Sequence, residues 1–336
     1  MKSIRKRTIS LIVALPLYLL CSISSLEAAE VALKKIRVGY PSHSASMYPL
    51  YVTKEAGLFE KYGLESEMIF VQGVMMYQIH VAGEIDFSIG SGLVALQASV
   101  GGADLILIAN SIENHLMKIM AHPGIKRPED LKGGSVGISR FGSLTDLVAR
   151  PVLKGWGLEP MKDVTLMQIG TQSDIATAVS LKKVDAGVLS FPTSLFAEKM
   201  GLKVLLDLAE SGIEIPTTSV IVKRGYSNAN RGVVLRFLKA YIEGTRRLFT
   251  DRELGIRALR KYARIQDQDL LATTYDLFTS KYIKKVPTIR PKGVENALAL
   301  IAETNLKAKT RKPGEFIDAS FMEELEKSGF IKTVWR

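Results

Sequence analysis

Along residues 35–121 the chain alternates between short apolar runs and longer stretches in which apolar residues return every three or four positions. The first kind of segment fits a buried strand, the second an amphipathic helix. Strands are predicted at 35–40, 67–71, 87–89 and 105–109, with helices at 48–56, 74–82 and 93–100 between them. After a further apolar segment at 116–121 the alternation resumes, with strands at 135–138, 164–169, 186–189 and 203–206 and helices beginning at Leu144, Thr171 and Phe191-Pro192. Such alternation argues for an α/β architecture of mostly parallel sheets with helices on both faces, here in two units. From Thr217 a strand through Ser219 to Lys223 is predicted to rejoin the first unit. The rest reads as helix, at 231–249, 252–262, 267–278, 293–303 and 316–328.

The stretch 132–158 organises the second unit. A Ser/Gly-rich turn (Ser139, Gly142, Ser143) separates its strand from a helix whose Leu144, Leu147, Val148 and Val152 share one face. Ser143 or Thr145 is expected to cap that helix. The unpaired N–H groups of its first turn, backed by the helix dipole, then offer an anion site at the loop, the alternative being an ordinary turn whose Ser and Gly only cap and bend; Pro151 is expected to kink or shorten the helix. Gly137 and Gly142 have the spacing of a P-loop, but Ser143-Leu144 replaces the required Lys-Ser/Thr, and GxGxxG is absent, which disfavours nucleotide phosphate.

The two units echo each other. AGEIDFSIGS (82–91) aligns without a gap on LKKVDAGVLS (181–190), matching Ile85 with Val184, Asp86 with Asp185, Ile89 with Val188 and Ser91 with Ser190. The aspartates are placed to brace the turn before a strand, and the serines to stand at equivalent strand ends. In parallel sheets ligands bind beyond the carboxyl ends of the strands, where Ser42, His43, Gln72, Ser91, Asn110 and Ser111 are predicted to fall. Chain crossings near 116–122 and 216–222 would form a hinge under a cleft.

The chain has 336 residues, 47% hydrophobic and 24% charged, ordinary globular values for about two domains. Lys2, Arg5, Lys6 and Arg7 precede an apolar run from Ile9 to Ile23 that ends in small residues at Ala28-Ala29, the pattern of a secretory signal over 1–29. A periplasmic or other extracytoplasmic location follows. The single cysteine, Cys21, lies in that segment, so the mature chain is expected to have no disulfide, thiolate metal site or cysteine nucleophile. Removing the signal takes three charges (four basic residues less Glu27) from the net +11 and leaves +8. Much of it lies within 223–264, where twelve Lys/Arg face three acids; these read as solvated helix faces, with no nucleic-acid partner expected. His43, His80, His115 and His122 are scattered without metal spacing, and there is no HExxH or GxSxG. No catalytic set, metal or cofactor is expected.

Several segments in order resemble the substrate-binding proteins of ABC importers for nitrate, taurine and aliphatic sulfonates, whose relatives bind the pyrimidine precursor of thiamine. They are IRVGYPSHSASMYPLYVTKEAGLFEKYGLESEMIF, HVAGEIDFSIGSG, IKRPEDLKGGSVGISRFGSLTD and the ELEKSGFI tail. The resemblance implies a two-lobed periplasmic-binding fold of type II that closes on its ligand, with lobe 1 from 35–121 and 220–336 and lobe 2 from 122–219. By it, Ser42, His43, Gly90-Ser91, the 139–145 loop (Ser139, Arg140, Ser143, Thr145), Phe191-Pro192 and Thr218 would line the cleft. It implies a monomer with two partners, a small organic anion or heterocycle and a membrane permease. The sequence departs from that pattern at Gln72-Gly73-Val74-Met75-Met76-Tyr77, where bulky methionines stand in place of small or polar residues. With Tyr48 and Phe191 they favour an organic ligand with an apolar or aromatic body over nitrate, unless the methionines belong to the core, and Arg140 is placed to pair with an acid group on it or to stand as a solvated loop residue. Two other classes remain open on the same fold: an enzyme acting on a small pyrimidine or carboxylic acid, and a module presenting its ligand to a membrane receptor.

Overall fold

The computed structural model describes residues 33–114, 116–210 and 212–336. The predicted signal at 1–29 and His115 lie outside the described residues. Ten strands are described: β1 Lys34–Tyr40, β2 Leu64–Phe70, β3 Phe87–Gly90, β4 Leu105–Asn114, β5 Met117–Ala121, β6 Ser135–Ile138, β7 Thr165–Gln168, β8 Ala186–Ser190, β9 Lys203–Asp207 and β10 Glu214–Lys223. They form two separate sheets of five, ordered β2-β1-β3-β10-β4 and β7-β6-β8-β5-β9. In each the first three strands run parallel and the fourth is antiparallel to both neighbours. The lobes therefore repeat one topology. In both, the strand that runs against the others is one that adjoins a passage of the chain between sheets.

The aspartates of the internal echo explain part of that repetition. Asp86 Oδ2 accepts the Arg37 amide of β1 at 2.7 Å, and Asp185 Oδ2 accepts the Ser135 amide of β6 at 2.7 Å. The backbone answers in kind, with Asp86 N bonded to Arg37 O and Asp185 N to Ser135 O. Each lobe thus ties the central strand of its parallel trio, β1 or β6, to the turn before β3 or β8. Ile85 and Val184 are buried beside these turns.

Packing covers both sheets. The first lobe's core includes Val38, Phe59, Phe87 and Ile108, closed by the long helix Arg231–Thr250, whose Phe237 ring stacks on Phe87 at 4.0 Å. The second lobe buries Val136, Ile138, Val188 and Leu153 on one face of its sheet, and Ile175, Val179 and Leu189 in a further cluster. Part of the basic charge in 223–264 is matched locally, Arg231 by Glu324 at 2.5 Å and Arg247 by Asp251 at 2.8 Å. No helix among the described residues is long and apolar enough to cross a membrane.

Several boundaries differ from the sequence reading. β4 runs on to Asn114, so Asn110 and Ser111 lie inside a strand; β10 pairs with it from Lys223↔Leu105 to Glu214↔Asn114 across several bulges and holds the extension in place. The second passage between sheets accordingly lies between Asp207 and Glu214, ahead of the expected 216–222. The predicted helix 316–328 starts only at Ser320, because Phe316 and Asp318 hydrogen-bond Leu107 and Ile317 bridges it at the sheet edge. The helix Leu144–Gly155 continues through Pro151 for twelve residues without the expected shortening.

Candidate functional site

In an open parallel sheet the strand-end loops carry the free backbone groups, so the site is built from loops after β1, β2, β3, β6 and β8. In the first lobe Tyr40 ends β1 and His43 follows it. The imidazole Nδ1 meets the Tyr262 carbonyl oxygen at 3.0 Å, and the ring stacks on Phe70 at the end of β2, 4.3 Å away. Burial lowers the His43 pKa; the Tyr262 carbonyl raises it and the Arg264 guanidinium lowers it further. Ser42 accepts the Tyr51 hydroxyl on its carbonyl oxygen, and the Gln72 side chain makes no hydrogen bond to described residues.

At the end of β3, Ser91 caps the helix Gly92–Val100 by accepting Val94 N at 3.4 Å, while its carbonyl oxygen takes the Tyr77 hydroxyl. Ser219 of β10 pairs with Gly90, which sets Thr218 opposite Ser91. The Thr218 hydroxyl is buried without a partner among the described residues. A buried polar atom left unpaired in this way costs about 1–3 kcal/mol, the sort of debt found at functional sites. Asn110 is buried, and its side-chain oxygen accepts the Ser219 hydroxyl at 2.9 Å.

The second lobe presents different chemistry. Ser143 stands at the N-cap position of Leu144–Gly155 but makes no capping bond with its side chain. Its hydroxyl donates instead to the Arg140 carbonyl at 2.6 Å, and Thr145 Oγ1 accepts Ser139 N at 2.9 Å. Ser139, Ser143 and Thr145 also bring their hydroxyl oxygens within 2.8–2.9 Å of one another. With the Ser143 hydrogen given to the Arg140 carbonyl, the remaining two hydroxyl hydrogens are shared among these three oxygen contacts. The amides of Leu144, Thr145 and Asp146 find no acceptor among the described residues. Asp146 folds back onto Gly142 N at 2.8 Å and is paired with Arg150 at 2.8 Å, so its carboxylate is already matched. The half-buried Arg140 has no hydrogen bond or ion pair from its guanidinium to described residues.

These loops meet. A Cβ built on Gly73 would lie 3.8 Å from Arg140 Cδ, and one built on Gly142 would lie 4.0 Å from Val74. Ser44 donates to the Phe191 carbonyl oxygen at 3.2 Å, and the Phe191 ring, next to a cis bond to Pro192, sits 5.5 Å from Phe278. Leu147, with Leu144 packed alongside, joins the hydrophobic cluster that also holds first-lobe Leu93, Val94, Val294 and Leu298. The lobes are therefore in contact through these loops; two concavities lie away from them, one of about 390 Å³ lined by His80, Asp86 and Lys223 and another of about 400 Å³ lined by Ile108, Ile289 and Met322.

Other side chains sorted differently from expectation. Tyr48 is fully buried among Tyr275 and Phe278 in the first-lobe core, and burial pushes its hydroxyl pKa far up. Met76 is fully buried, while Met75 is 41% exposed. His80 is buried against Ser88 and His122 lies 3.5 Å from Asp185, both structural roles. No group of three or more His, Cys, Asp or Glu among the described residues could hold a metal. Arg264 was missed by the sequence reading. It belongs to the helical region and reaches His43 only through tertiary packing, a signal that periodicity does not carry.

Similar proteins extend the picture. A protein of Brucella abortus, named as a candidate binding protein, is 31% identical over 159 residues, 47% of this chain and 48% of its own; the chain thus spans about half the length of the curated relatives it matches first. Among solved structures, a protein of Bordetella bronchiseptica superposes with a TM-score of 0.79 at 18% identity, covering 88% of this chain and 98% of that one. The periplasmic aliphatic sulphonate binding protein SsuA of Escherichia coli superposes at 0.63 with 22% identity, covering 82% and 86%. These likenesses show a shared two-lobed periplasmic-binding fold. The NMT1/THI5-like family model matches residues 44–253, well over half of the sequence, and the chain belongs to that family.

Proposed function

We propose that the protein is an extracytoplasmic solute-binding protein, which captures a small organic anion or heterocycle in the cleft between its lobes and delivers it to the permease of an ABC importer. One observation carries this reading: three unpaired helix amides, a hydroxyl trio and the free guanidinium of Arg140 converge on a loop that faces the strand ends of the other lobe. Such a set binds an acidic or strongly hydrogen-bonding head group, and its charge and dipoles are arranged for capture and not for turnover. Family membership and the sulphonate-binding neighbour support it. The basic leader-like segment at residues 1–29 supports export, and the monomer is the simplest assembly that leaves both lobes free to move. The bulky, exposed Met75, which opens the helix after the Gln72-Gly73 loop, favours a ligand with an organic body over a small inorganic anion.

Native mass spectrometry of the protein as purified is expected to show a retained small molecule that leaves on mild denaturation. Ser143→Leu, which pushes a side chain into the head-group position, is expected to lose it. Retention of the same molecule by Ser143→Leu would place the site outside this loop, and chemical turnover of the released molecule by the native protein would replace a binding role with an enzymatic one.

A further inference from the structure

Arg264 ends the π-helical turn Leu259–Ala263 with φ 59° and ψ 30°, a left-handed conformation uncommon for a residue with a side chain. It is exposed, and its guanidinium makes no hydrogen bond or ion pair with described residues. Its position is nevertheless fixed. Tyr262, two residues earlier, stacks on Tyr51 at 5.4 Å and takes His43 Nδ1 on its carbonyl oxygen at 3.0 Å. The backbone that carries Arg264 is thereby anchored two residues from a direct contact with the His43 ring, and its charge contributes to lowering the His43 pKa.

On the far side of His43 lies Phe70, stacked at 4.3 Å and 42% exposed, with Tyr40 tilted against it at 5.7 Å. Three residues beyond Phe70 comes Gly73, the point over which the Arg140 side chain of the other lobe passes. The exposed Phe70 ring thus lies between His43, whose partner Tyr262 is two residues from Arg264, and Gly73, against which Arg140 of the other lobe packs; neither guanidinium has a carboxylate partner among the described residues. Guanidinium groups bind carboxylates or sulfonates in a planar fork, and exposed aromatic faces take planar ligands by stacking.

On the strength of the cleft reading above, we propose that Arg264 and the His43–Phe70 ring pair form a second anion-binding corner of the cleft. The ligand is then a planar or aromatic molecule with acidic groups at two ends, one held by Arg140 and the Ser139–Thr145 loop, the other by Arg264.

Calorimetry on the full mature chain tests this with benzene-1,4-dicarboxylate, benzene-1,3-dicarboxylate, benzoate and hexanedioate. One of the ring dicarboxylates is expected to bind roughly tenfold or more tightly than benzoate, the scale of one charge-assisted contact. Arg264→Gln is expected to bring that dicarboxylate down to the benzoate level while leaving the melting temperature unchanged. Hexanedioate, with two charges and no ring, is expected to bind more weakly than its ring counterpart. Equal binding of dicarboxylate and benzoate, indifference of the dicarboxylate to Arg264→Gln, or binding of none of the probes would overturn the inference. If Ser143→Leu abolishes binding while Arg264→Gln does nothing, the corner falls and the cleft stands. If neither variant affects a bound probe, the cleft falls too.

Discussion

The two lobes share a strand order and an aspartate brace, yet offer opposite chemistry at their strand ends. The first presents rings, His43, Phe70 and Tyr40. The second presents hydroxyls, bare helix amides and Arg140. What repeats is internally satisfied: the Asp86 and Asp185 carboxylates each accept a backbone amide, from β1 and β6 respectively. What differs is left open, and groups left open are those available to a ligand. The comparison extends into the core. Extending the gapless match by two positions, His80 and Ser88 of the first lobe fall on Val179 and Gly187 of the second. One lobe fills this place with a hydrogen-bonded polar pair 2.8 Å apart; the other fills it with valine over a glycine that has no room for a Cβ.

The largest expected effect follows from that core difference. Burial lowers the His80 pKa to about 4, against an ordinary value of 6.5. Above pH 6.5 both the folded and unfolded chains keep this imidazole neutral. As the pH falls towards 4 the unfolded chain takes up a proton that the folded one refuses, so stability drops across that window by about 3 kcal/mol. Urea unfolding between pH 7 and 4 is expected to show this loss in the parent. A His80→Val, Ser88→Gly double variant, which copies the second lobe, is expected to flatten it; an unchanged acid limb would detach the effect from this pair.

A step smaller is the effect at the cleft. Arg140→Ala is expected to weaken an anionic ligand by roughly 1.5–3 kcal/mol, the scale of a hydrogen bond to a charged group, when titrated with the molecule the protein retains on purification. Asp86→Ala and Asp185→Ala probe the shared framework. Each removes the partner of a half-buried amide and is expected to cost roughly 1–3 kcal/mol in denaturant unfolding, with similar values in the two lobes. A loss confined to one of them would mean that the brace is repeated in sequence but not in energy.

Much of this framework was legible before any coordinates. Strand and helix periods gave the alternation, and the ten-residue echo located both aspartate braces because a brace is a local device, fixed by a turn and its neighbouring strand. Long-range facts were not legible. Asn110 reads as a strand end from its polarity, but pairing with β10 carries β4 past it. Ser143 reads as a cap, but two nearby hydroxyls compete for it and the bond to Arg140 O prevails. Met75 and Met76 look alike in sequence; adjacent positions on a helix face different ways, so one is core and the other is exposed. Arg264 stands beyond any local signal, since only the packing of Tyr262 against Tyr51 brings it to His43.

The central claim is that both lobes supply one site, each with its own half of the chemistry. Hydrogen exchange read by mass spectrometry, with and without the retained molecule, addresses it directly. The account predicts that ligand slows exchange in peptides covering Tyr40–Val74 and Ser139–Asp146 together, with little change at Asp86 or Asp185. Protection confined to one lobe, or absent from the Ser139–Asp146 loop, would contradict it.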